Sequence, residues 1–286
     1  MPAGVLLPFV DRAFYEPAGA EGRRSPLGVA TMSDTAIGGA AIVAIDADAL
    51  RHAADWLVAV VPAATAAAVG PLEPGGPFDD AEAAAVARAV PRRRDEFHTG
   101  RRLARRALAA LCGPAGTIPV AADRQPVWPE GFVGSISHCD AVCVAQVARR
   151  DALAGIGVDV ERAASLEPAL ARLVATHAEH GHVAARMPAG IDAGLLCFSA
   201  KESVYKAVFP ILRTFLDFTD VRLEIDPVRG AFVALPTPPE RPWIPPLHRL
   251  EGRYARFGDH LFTIAWIGQH GPQGPHCGIS HAKERR

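Results

Sequence analysis

Much of this sequence can be interpreted from one segment, Phe198-Ser199-Ala200-Lys201-Glu202-Ser203-Val204-Tyr205-Lys206-Ala207. Its apolar residues follow helical spacing, which predicts a helix that is buried along most of its length. Glu202 and Lys206 are four residues apart and therefore share one face, and Lys201 and Tyr205 form a second such pair beside them. An acid and two lysines at the rim of a packed helix suggest a site for an anion and a cation together. The alternative is an ordinary Glu–Lys pair on a solvent-exposed helix, which is common at this spacing.

The composition argues against several classes of protein. The 286 residues carry 30 Lys and Arg against 31 Asp and Glu, a net charge of −1, so the overall charge does not favour a polyanionic partner. No run of about 18 apolar residues occurs, so we expect no membrane span. The first apolar residues follow no basic region, so we expect no secretory signal. The five cysteines form no Cys-x-x-Cys pair, which is typical of free thiols in a reducing cytosol, and we expect a cytoplasmic protein.

The residue patterns divide the chain into two structured halves between weakly patterned ends. Residues 1–55 are rich in Gly, Ala and Pro and have weak periodicity, which predicts a poorly ordered N-terminal extension. Residues 56–150 and 151–268 carry the helix and strand patterns of an N-terminal and a C-terminal half. Residues 269–286 are polar and rich in Gly and Pro, and we expect them to form a disordered tail.

Several β-strands are predicted by residue pattern. Residues 56–61 form a short apolar run before Pro62, which predicts a buried strand. Residues 132–139 and 141–147 are typical of a β-hairpin with Asp140 near its turn. Further strands are predicted at residues 154–161, 221–225, 231–235, 253–257 and 261–267.

A second helix, predicted over about residues 92–111, carries many arginines. At about 100° per residue, Arg94, Arg101 and Arg105 fall along one flank of its apolar face. A row of guanidinium groups at the edge of a pocket suits bidentate contacts to phosphate. A basic helix facing solvent is the plainer interpretation. A nucleic-acid surface is a third, which neither a nucleic-acid motif nor the overall charge supports.

Polar side chains lie near the ends of two predicted strands. Ser137 and His138 precede the hairpin turn, where backbone N–H groups and an imidazole could hold a phosphate oxygen. The strand at residues 154–161 places Asp159 and Glu161 on one face. Two carboxylates this close repel each other, although a strand that ends in solvent tolerates such a pair. They are also the oxygen ligands that a hard cation such as Mg²⁺ prefers.

Three motifs follow one another in a fixed order. They are Ser-Ile-Ser-His at residues 135–138, Val-Asp-Val-Glu at residues 158–161 and Lys-Glu-Ser-x-x-Lys at residues 201–206. Together they resemble the signature set of the 4′-phosphopantetheinyl transferases, of the larger Sfp-type class. Each motif alone is weak, whereas the ordered set is specific.

The resemblance is closer to one branch of that class, which includes enterobactin synthase component D. The segments that indicate this branch are Arg92-Arg93-Arg94-Asp95-Glu96-Phe97, Gly100-Arg101-Arg102-Leu103-Ala104-Arg105 and Gln125-Pro126-Val127-Trp128-Pro129-Glu130-Gly131. The resemblance covers roughly residues 57–267.

This resemblance implies an α+β fold of two similar halves packed about a pseudo-two-fold axis, with coenzyme A in the cleft between them. It implies Mg²⁺-dependent transfer of the 4′-phosphopantetheine arm of coenzyme A to a serine of an apo acyl, peptidyl or aryl carrier protein. The pathway would be siderophore, nonribosomal peptide or polyketide synthesis. The large second half suggests a monomer, because the smaller class of the family builds the same architecture by oligomerising. The alternative is a catalytically silent protein that binds coenzyme A or a carrier protein.

The resemblance also assigns roles to the acids and lysines. Asp159, Glu161 and Glu202 match the metal-binding acids of the family. Glu202 is also the expected general base for the incoming serine. Lys201 and Lys206 match the lysines that contact the pyrophosphate, and Lys206 is the better candidate for stabilising the leaving phosphate.

The remaining matched residues are expected to hold coenzyme A. Ser137 and His138 match residues that contact its phosphates, and we count His138 among the catalytic residues. Arg101, with Arg93 or Arg94, matches the basic residues on the 3′-phosphate. The helical wheel favours Arg94 whereas the motif alignment favours Arg93, so both remain candidates.

Overall fold

The computed structural model describes residues 46–76, 79–114, 116–187, 190–237 and 250–269. The expectations for residues 1–45 and 270–286 therefore lie outside the described residues. The helices are α1 (Ala47–Ala59), α2 (Asp80–Ala85), α3 (Pro91–Ala110), α4 (Pro168–Val174), α5 (His177–Ala184) and α6 (Ala193–Leu212), and a 3₁₀ turn covers Phe218–Asp220. None of the helices in these ranges is long and apolar enough to cross a membrane.

The strands form two antiparallel sheets. They are β1 (Thr65–Pro71), β2 (Phe132–Cys139), β3 (Val142–Arg149), β4 (Leu153–Arg162), β5 (Val221–Asp226), β6 (Ala231–Pro236), β7 (Leu250–Phe257) and β8 (His260–Gly268). One sheet has the strand order β1-β3-β2 and the other has the order β4-β8-β7-β6-β5. The long helix α3 packs on the first sheet, and the equally long α6 packs on β4 and β8 of the second. The predicted α+β fold is therefore confirmed.

The two halves meet through their sheets. Alternate residues of the strands, among them Val144 of β3 and Val158 of β4, face each other in one shared core. The opposite face of each sheet is covered by its own long helix, and separate apolar cores lie beneath α3 and beneath α6. The layers are thus helix, sheet, sheet and helix, and the edge strands β2 and β4 pack against each other between the two helices.

The prediction of a strand at residues 56–61 is wrong, because residues 56–59 form the last turn of α1. This helix begins after Asp46, whose side chain accepts hydrogen bonds from two backbone N–H groups of the first turn. Leu50, Ala53 and Leu57 bury one face of α1 in the shared core. Periodicity over so short an apolar run does not separate strand from helix. Residues 46–55 are likewise the cap and first turns of this helix rather than part of an extension.

The other predicted elements are confirmed, with shifts of a few residues at their ends. The hairpin is formed by β2 and β3, and Asp140 adopts a φ of 49° in its turn. Asp tolerates this left-handed conformation better than most residues. The side chain of Asp79 caps the short helix α2, which ends at Ala85.

Helix α6 lies very close to β4 because two glycines of that strand face it. A Cβ added at Gly157 would lie 1.9 Å from the carbonyl oxygen of Ser203, and one at Gly155 would lie 2.3 Å from another carbonyl oxygen of the helix. Any side chain at these positions would force the helix away from the strand. The close approach brings Lys206 of α6 beside Asp159, which follows Gly157 by two residues on the same face of β4.

Candidate active site

The centre of the site is the carboxylate of Asp159, a residue that is only 3% exposed. Its Oδ1 lies 2.6 Å from the Nζ of Lys206 and accepts a hydrogen bond from the Oγ of Ser137 at 2.8 Å. Its Oδ2 accepts a hydrogen bond from the Oγ of Ser199 at 2.7 Å. Groups from β2 and α6 therefore hold both oxygens of this buried acid, which fixes its orientation.

Lys206 connects the two halves of the protein. Its ammonium group also donates to the Oγ of Ser137 at 3.0 Å, so it contacts β2 as well as β4. Burial lowers the pKa of Lys206, but neighbouring carboxylates have the larger combined effect and raise this pKa above its ordinary value. These carboxylates belong to Asp159, Glu202 and Glu161, in order of decreasing effect. The lysine is therefore charged at neutral pH.

The three predicted metal-binding acids thus all act on one ammonium group. Carboxylate oxygens are the ligands that Mg²⁺ prefers, so the residue types fit this ion. In the part of the chain that the structure describes, however, no three His, Cys, Asp or Glu side chains are already arranged as ligands of a metal ion. The oxygens of Asp159 instead accept hydrogen bonds from Lys206 and the two serines.

A second polar cluster lies on the other side of β2. The Nη1 of Arg93 is 2.7 Å from the Nε2 of His138 and donates to the Oε2 of Glu96 at 3.3 Å. Because a guanidinium group only donates, the Nε2 of His138 is the acceptor, and the imidazole carries its proton on Nδ1. That Nδ1 lies 3.6 Å from the Oε2 of Glu96. Glu96 therefore orients the arginine, and the arginine in turn contacts the histidine.

Strand β2 joins the two clusters through consecutive residues. Ser137 and His138 point to opposite faces of the strand, as neighbouring residues in a strand do. Ser137 contacts Asp159 and Lys206, whereas His138 contacts Arg93 on α3. Of the predicted phosphate-binding groups of the first half, Ser137 thus contacts an acid of the second half, and His138 is the next residue along the strand.

Lys201 does not lie in this site. It precedes Lys206 by five residues, a rotation of about 140° around the helix, so the two lysines cannot point the same way. The Nζ of Lys201 is instead enclosed in the C-terminal half and lies 2.8 Å from the Oε2 of Glu179. This position is contrary to the expectation that Lys201 contacts the pyrophosphate.

The arginine row predicted along α3 is not formed either. Arg94 is exposed, and the Nη1 of Arg105 lies 2.6 Å from the Oε1 of the buried Glu82. Arg101 is 5% exposed and its Nε donates to the carbonyl oxygen of Ile118 at 2.8 Å. A helical wheel gives the direction of each side chain but not the partners that other elements bring to it, and these partners separate the three arginines.

Two hydroxyl groups were not found from the sequence: one holds Asp159, and the other contacts the first. Ser199 donates to Asp159, and the Oγ1 of Thr263 lies 2.9 Å from the Oγ of Ser199. Ser199 precedes Glu202 by three residues and Lys206 by seven, so helical spacing already places it on their face. Thr263 is the residue opposite Asp159 in the β4–β8 register, which cannot be predicted without knowing which strands pair.

Comparison with known proteins supports the same interpretation of both halves. Residues 81–148 match the family model of the 4′-phosphopantetheinyl transferase N-terminal domain, and residues 155–265 match that of the 4′-phosphopantetheinyl transferase superfamily. The 4′-phosphopantetheinyl transferase Svp of Streptomyces mobaraensis is 42% identical over 54% of this chain and 63% of its own length. PptT of Mycobacterium tuberculosis, a 4′-phosphopantetheinyl transferase, is 37% identical over 51% of this chain and 64% of its own length.

Enterobactin synthase component D of Escherichia coli strain K12 is 44% identical over 29% of this chain and 40% of its own length. The chain thus spans less than two thirds of the length of each of these relatives. The acids, the lysines and the Ser-His pair all lie inside the two matched regions. On these matches the chain belongs to the 4′-phosphopantetheinyl transferase superfamily.

Proposed function

We propose that this protein transfers the 4′-phosphopantetheine arm of coenzyme A to a serine hydroxyl of an apo carrier protein, and that it requires Mg²⁺. The observation that supports this best is the contact of Asp159 with Lys206 and Ser137, in which both family-matched halves meet around one buried acid. In this reaction the serine oxygen bonds to a phosphorus of the pyrophosphate. The bond from that phosphorus to the bridging oxygen breaks, and adenosine 3′,5′-bisphosphate leaves.

The acids and Lys206 divide the chemistry between them. We assign Glu202, one helical turn before Lys206, as the base that accepts the proton of the serine hydroxyl. The charged Lys206 would stabilise the negative charge that develops on the leaving phosphate. Asp159, Glu161 and Glu202 are the residues that would supply carboxylate oxygens for Mg²⁺. When bound, this ion would offset the charge of the pyrophosphate.

Arg93, His138 and Ser137 are the groups that we assign to the phosphates of coenzyme A. Arg93 is favoured over Arg94 because its guanidinium group contacts His138, whereas Arg94 is exposed. Glu96 bonds to Arg93, and Arg93 contacts His138, so the arrangement of the two residues exists before the substrate binds. Arg101 is buried in the first half, where its Nε donates to the carbonyl oxygen of Ile118, so we do not assign it to the 3′-phosphate.

The relatives and the composition support a proposal for the cellular setting. The similarity to a protein named as a component of enterobactin synthase supports a carrier protein of a siderophore, nonribosomal peptide or polyketide synthase as the second substrate. Free cysteines support a cytoplasmic reaction. We expect a monomer, because both halves of the site come from one chain.

The test is transfer by the purified protein. The protein would be mixed with coenzyme A, Mg²⁺ and several apo carrier proteins, and the carriers would be examined for the mass gain of one phosphopantetheine group. We expect Asp159→Asn and Glu202→Gln to lose transfer by at least about 100-fold. Asp259→Asn is the matched control, because Asp259 is an exposed acid in the β7–β8 turn.

Two results would contradict the proposal. If coenzyme A binds but none of the carriers gains mass, the protein is instead a silent binder of coenzyme A or of a carrier protein. If Asp159→Asn transfers as fast as the unchanged protein, Asp159 has no part in the reaction.

The magnesium requirement is tested separately. Transfer is expected to stop when Mg²⁺ is omitted and a chelator is added. Replacing Mg²⁺ by Ca²⁺ then separates a requirement for magnesium from a general effect of divalent charge.

A further inference from the structure

A buried ion pair lies in the C-terminal half, outside the site described above. The side chains of Lys201 and Glu179 are 0% and 5% exposed, and 2.8 Å separates Nζ from Oε2. The Nζ also donates to the carbonyl oxygens of Val174 at 2.9 Å and Phe218 at 3.0 Å. The other carboxylate oxygen of Glu179 accepts from the backbone N–H of Leu223 at 2.9 Å. All three donors of the ammonium group are therefore used within the protein.

The pair ties α6 to four neighbouring elements. Val174 ends α4, Glu179 lies in α5, Phe218 begins the 3₁₀ turn and Leu223 lies in β5. Val174, Glu179 and Phe218 each accept a hydrogen bond from Lys201, and Leu223 donates one to Glu179. A buried pair with this many partners is strongly destabilised when only one member is removed, because the other charge stays buried without compensation.

The position of Lys201 in α6 connects the Lys201–Glu179 ion pair to the candidate active site. Lys201 directly precedes Glu202, the residue that we assign as the base. In a helix, the directions of neighbouring side chains differ by about 100° around the axis. When the direction of one side chain is held by its partners, the rotation of the helix about its axis is therefore held too. Glu202 and Lys206 can face Asp159 only while this rotation is kept.

We infer that Glu179 and Lys201 are positioning residues for the transfer reaction. Through their ion pair, the α5 segment holds α6 in the rotation that directs Glu202 and Lys206 at Asp159. Lys201 binds no substrate in this arrangement, although it lies inside the Lys-Glu-Ser-x-x-Lys motif. This inference rests on the proposed function, since its consequence is measured as turnover.

The test compares single and paired replacements. Lys201→Met leaves the carboxylate of Glu179 buried without its partner, and Glu179→Gln places amide hydrogens against the ammonium group. In the double variant E179Q/K201M the site is neutral, and the new amide can still accept from Leu223 and donate to the freed carbonyl oxygens. We expect each single variant to lower Tm and to lower kcat of the folded protein about tenfold. The double variant is expected to recover to within about threefold of the original kcat.

Binding of coenzyme A separates positioning from substrate contact. With Mg²⁺ present, we expect all three variants to bind coenzyme A with a Kd within about twofold of the unchanged protein. A Kd that rises at least about tenfold in K201M and stays raised in E179Q/K201M would show that Lys201 contacts the substrate, and the inference would be wrong. Single variants with lower Tm but unchanged kcat of the folded protein would show a purely structural pair, and this too would overturn it.

A control addresses the specificity of the rescue. E179Q/K206M is expected to remain as inactive as Lys206→Met alone, because Glu179 does not contact Lys206. Rescue of Lys206→Met by E179Q would contradict the inference.

The result for the unchanged protein distinguishes failure of the proposed function from failure of this inference alone. If it transfers nothing to any carrier, the proposed function fails and this inference fails with it. If it transfers but the double variant shows no recovery, the inference alone fails.

Discussion

Ser137 of β2 donates a hydrogen bond to Asp159 of β4 with 2.8 Å between Oγ and Oδ1, and this bond crosses from the first sheet to the second. Ser135, two residues earlier on the same face, makes the neighbouring crossing, since its Oγ accepts from the backbone N–H of Val158 at 3.0 Å. Both serines are buried. They differ in what they hold, because one holds the central acid and the other holds only the backbone of the edge strand.

This difference predicts a similar loss of stability but a different loss of transfer for two similar replacements. We expect both Ser137→Ala and Ser135→Ala to lower the free energy of unfolding by about 1–3 kcal/mol. Ser135→Ala removes the acceptor of the buried N–H of Val158, and Ser137→Ala removes one of the donors to the buried carboxylate of Asp159. Folded Ser137→Ala is expected to lose about tenfold in transfer, because Lys206 and Asp159 share this hydroxyl, while Ser135→Ala stays within about twofold. Urea unfolding and carrier mass gain measure the two effects. Equal activity in the two folded variants would limit Ser137 to a structural role.

The conflict between Arg93 and Arg94 can be settled by coenzyme A affinity. Arg93 is 6% exposed and its guanidinium group lies against His138, whereas Arg94 is exposed. We expect Arg93→Gln to raise the Kd of coenzyme A at least about tenfold, because a charged contact to phosphate is lost. Arg94→Gln, the matched control on the next residue, is expected to stay within about twofold. A larger effect for Arg94→Gln than for Arg93→Gln would assign the contact to the exposed arginine.

Where a feature depends on neighbours in sequence, it could be predicted. The hairpin around Asp140, the strand that carries Asp159 and the helix that carries Glu202 all follow from local periodicity and are found. The side-by-side placement of Glu202 and Lys206 follows from helical spacing alone. The order of the three motifs was sufficient to indicate the family.

Features that depend on packing between distant segments could not be predicted. The partner of Lys201 is Glu179 on a different helix, and no spacing rule connects them. The prediction of a strand at residues 56–61 was wrong for a related reason. Leu57 is buried as part of one face of a helix, and this is seen only when the helix is packed against the sheets. One part of the error about Lys201 could have been avoided. Helical geometry alone shows that Lys201 and Lys206 cannot share a site, because five residues turn a helix through about 140° beyond one full turn.

The close approach of α6 to β4 predicts opposite effects for one substitution at two glycines. Gly157→Ala would place a methyl group 1.9 Å from the carbonyl oxygen of Ser203, so we expect a large loss of stability and of transfer. Gly181→Ala in α5 meets nothing within 4 Å, and we expect it to be neutral or to stabilise by up to about 1 kcal/mol. Thermal unfolding of both variants checks this. A Gly157→Ala protein as stable as the original would show that α6 and β4 are farther apart than described.

The burial of His260 makes the folded protein less stable at acidic pH. Burial lowers the pKa of His260, and this effect exceeds that of the carboxylates of Asp140 and Asp259, which raise it. The pKa in the folded protein is thus below the value of about 6.5 expected for the unfolded chain. The unfolded chain therefore binds more protons as the pH falls through this range, and stability is lost.

We expect the free energy of unfolding to fall between about pH 7.5 and pH 5.5, and to fall less in His260→Gln, whose side chain does not take up a proton. Urea unfolding at both pH values measures the difference. His52→Gln is the matched control, because His52 lies on the exposed face of α1, and it is expected to lose as much stability on acidification as the unchanged protein. If His260→Gln loses as much as that control, another group causes the acid sensitivity. If the unchanged protein is equally stable at both pH values, burial of His260 has no measurable effect on folding.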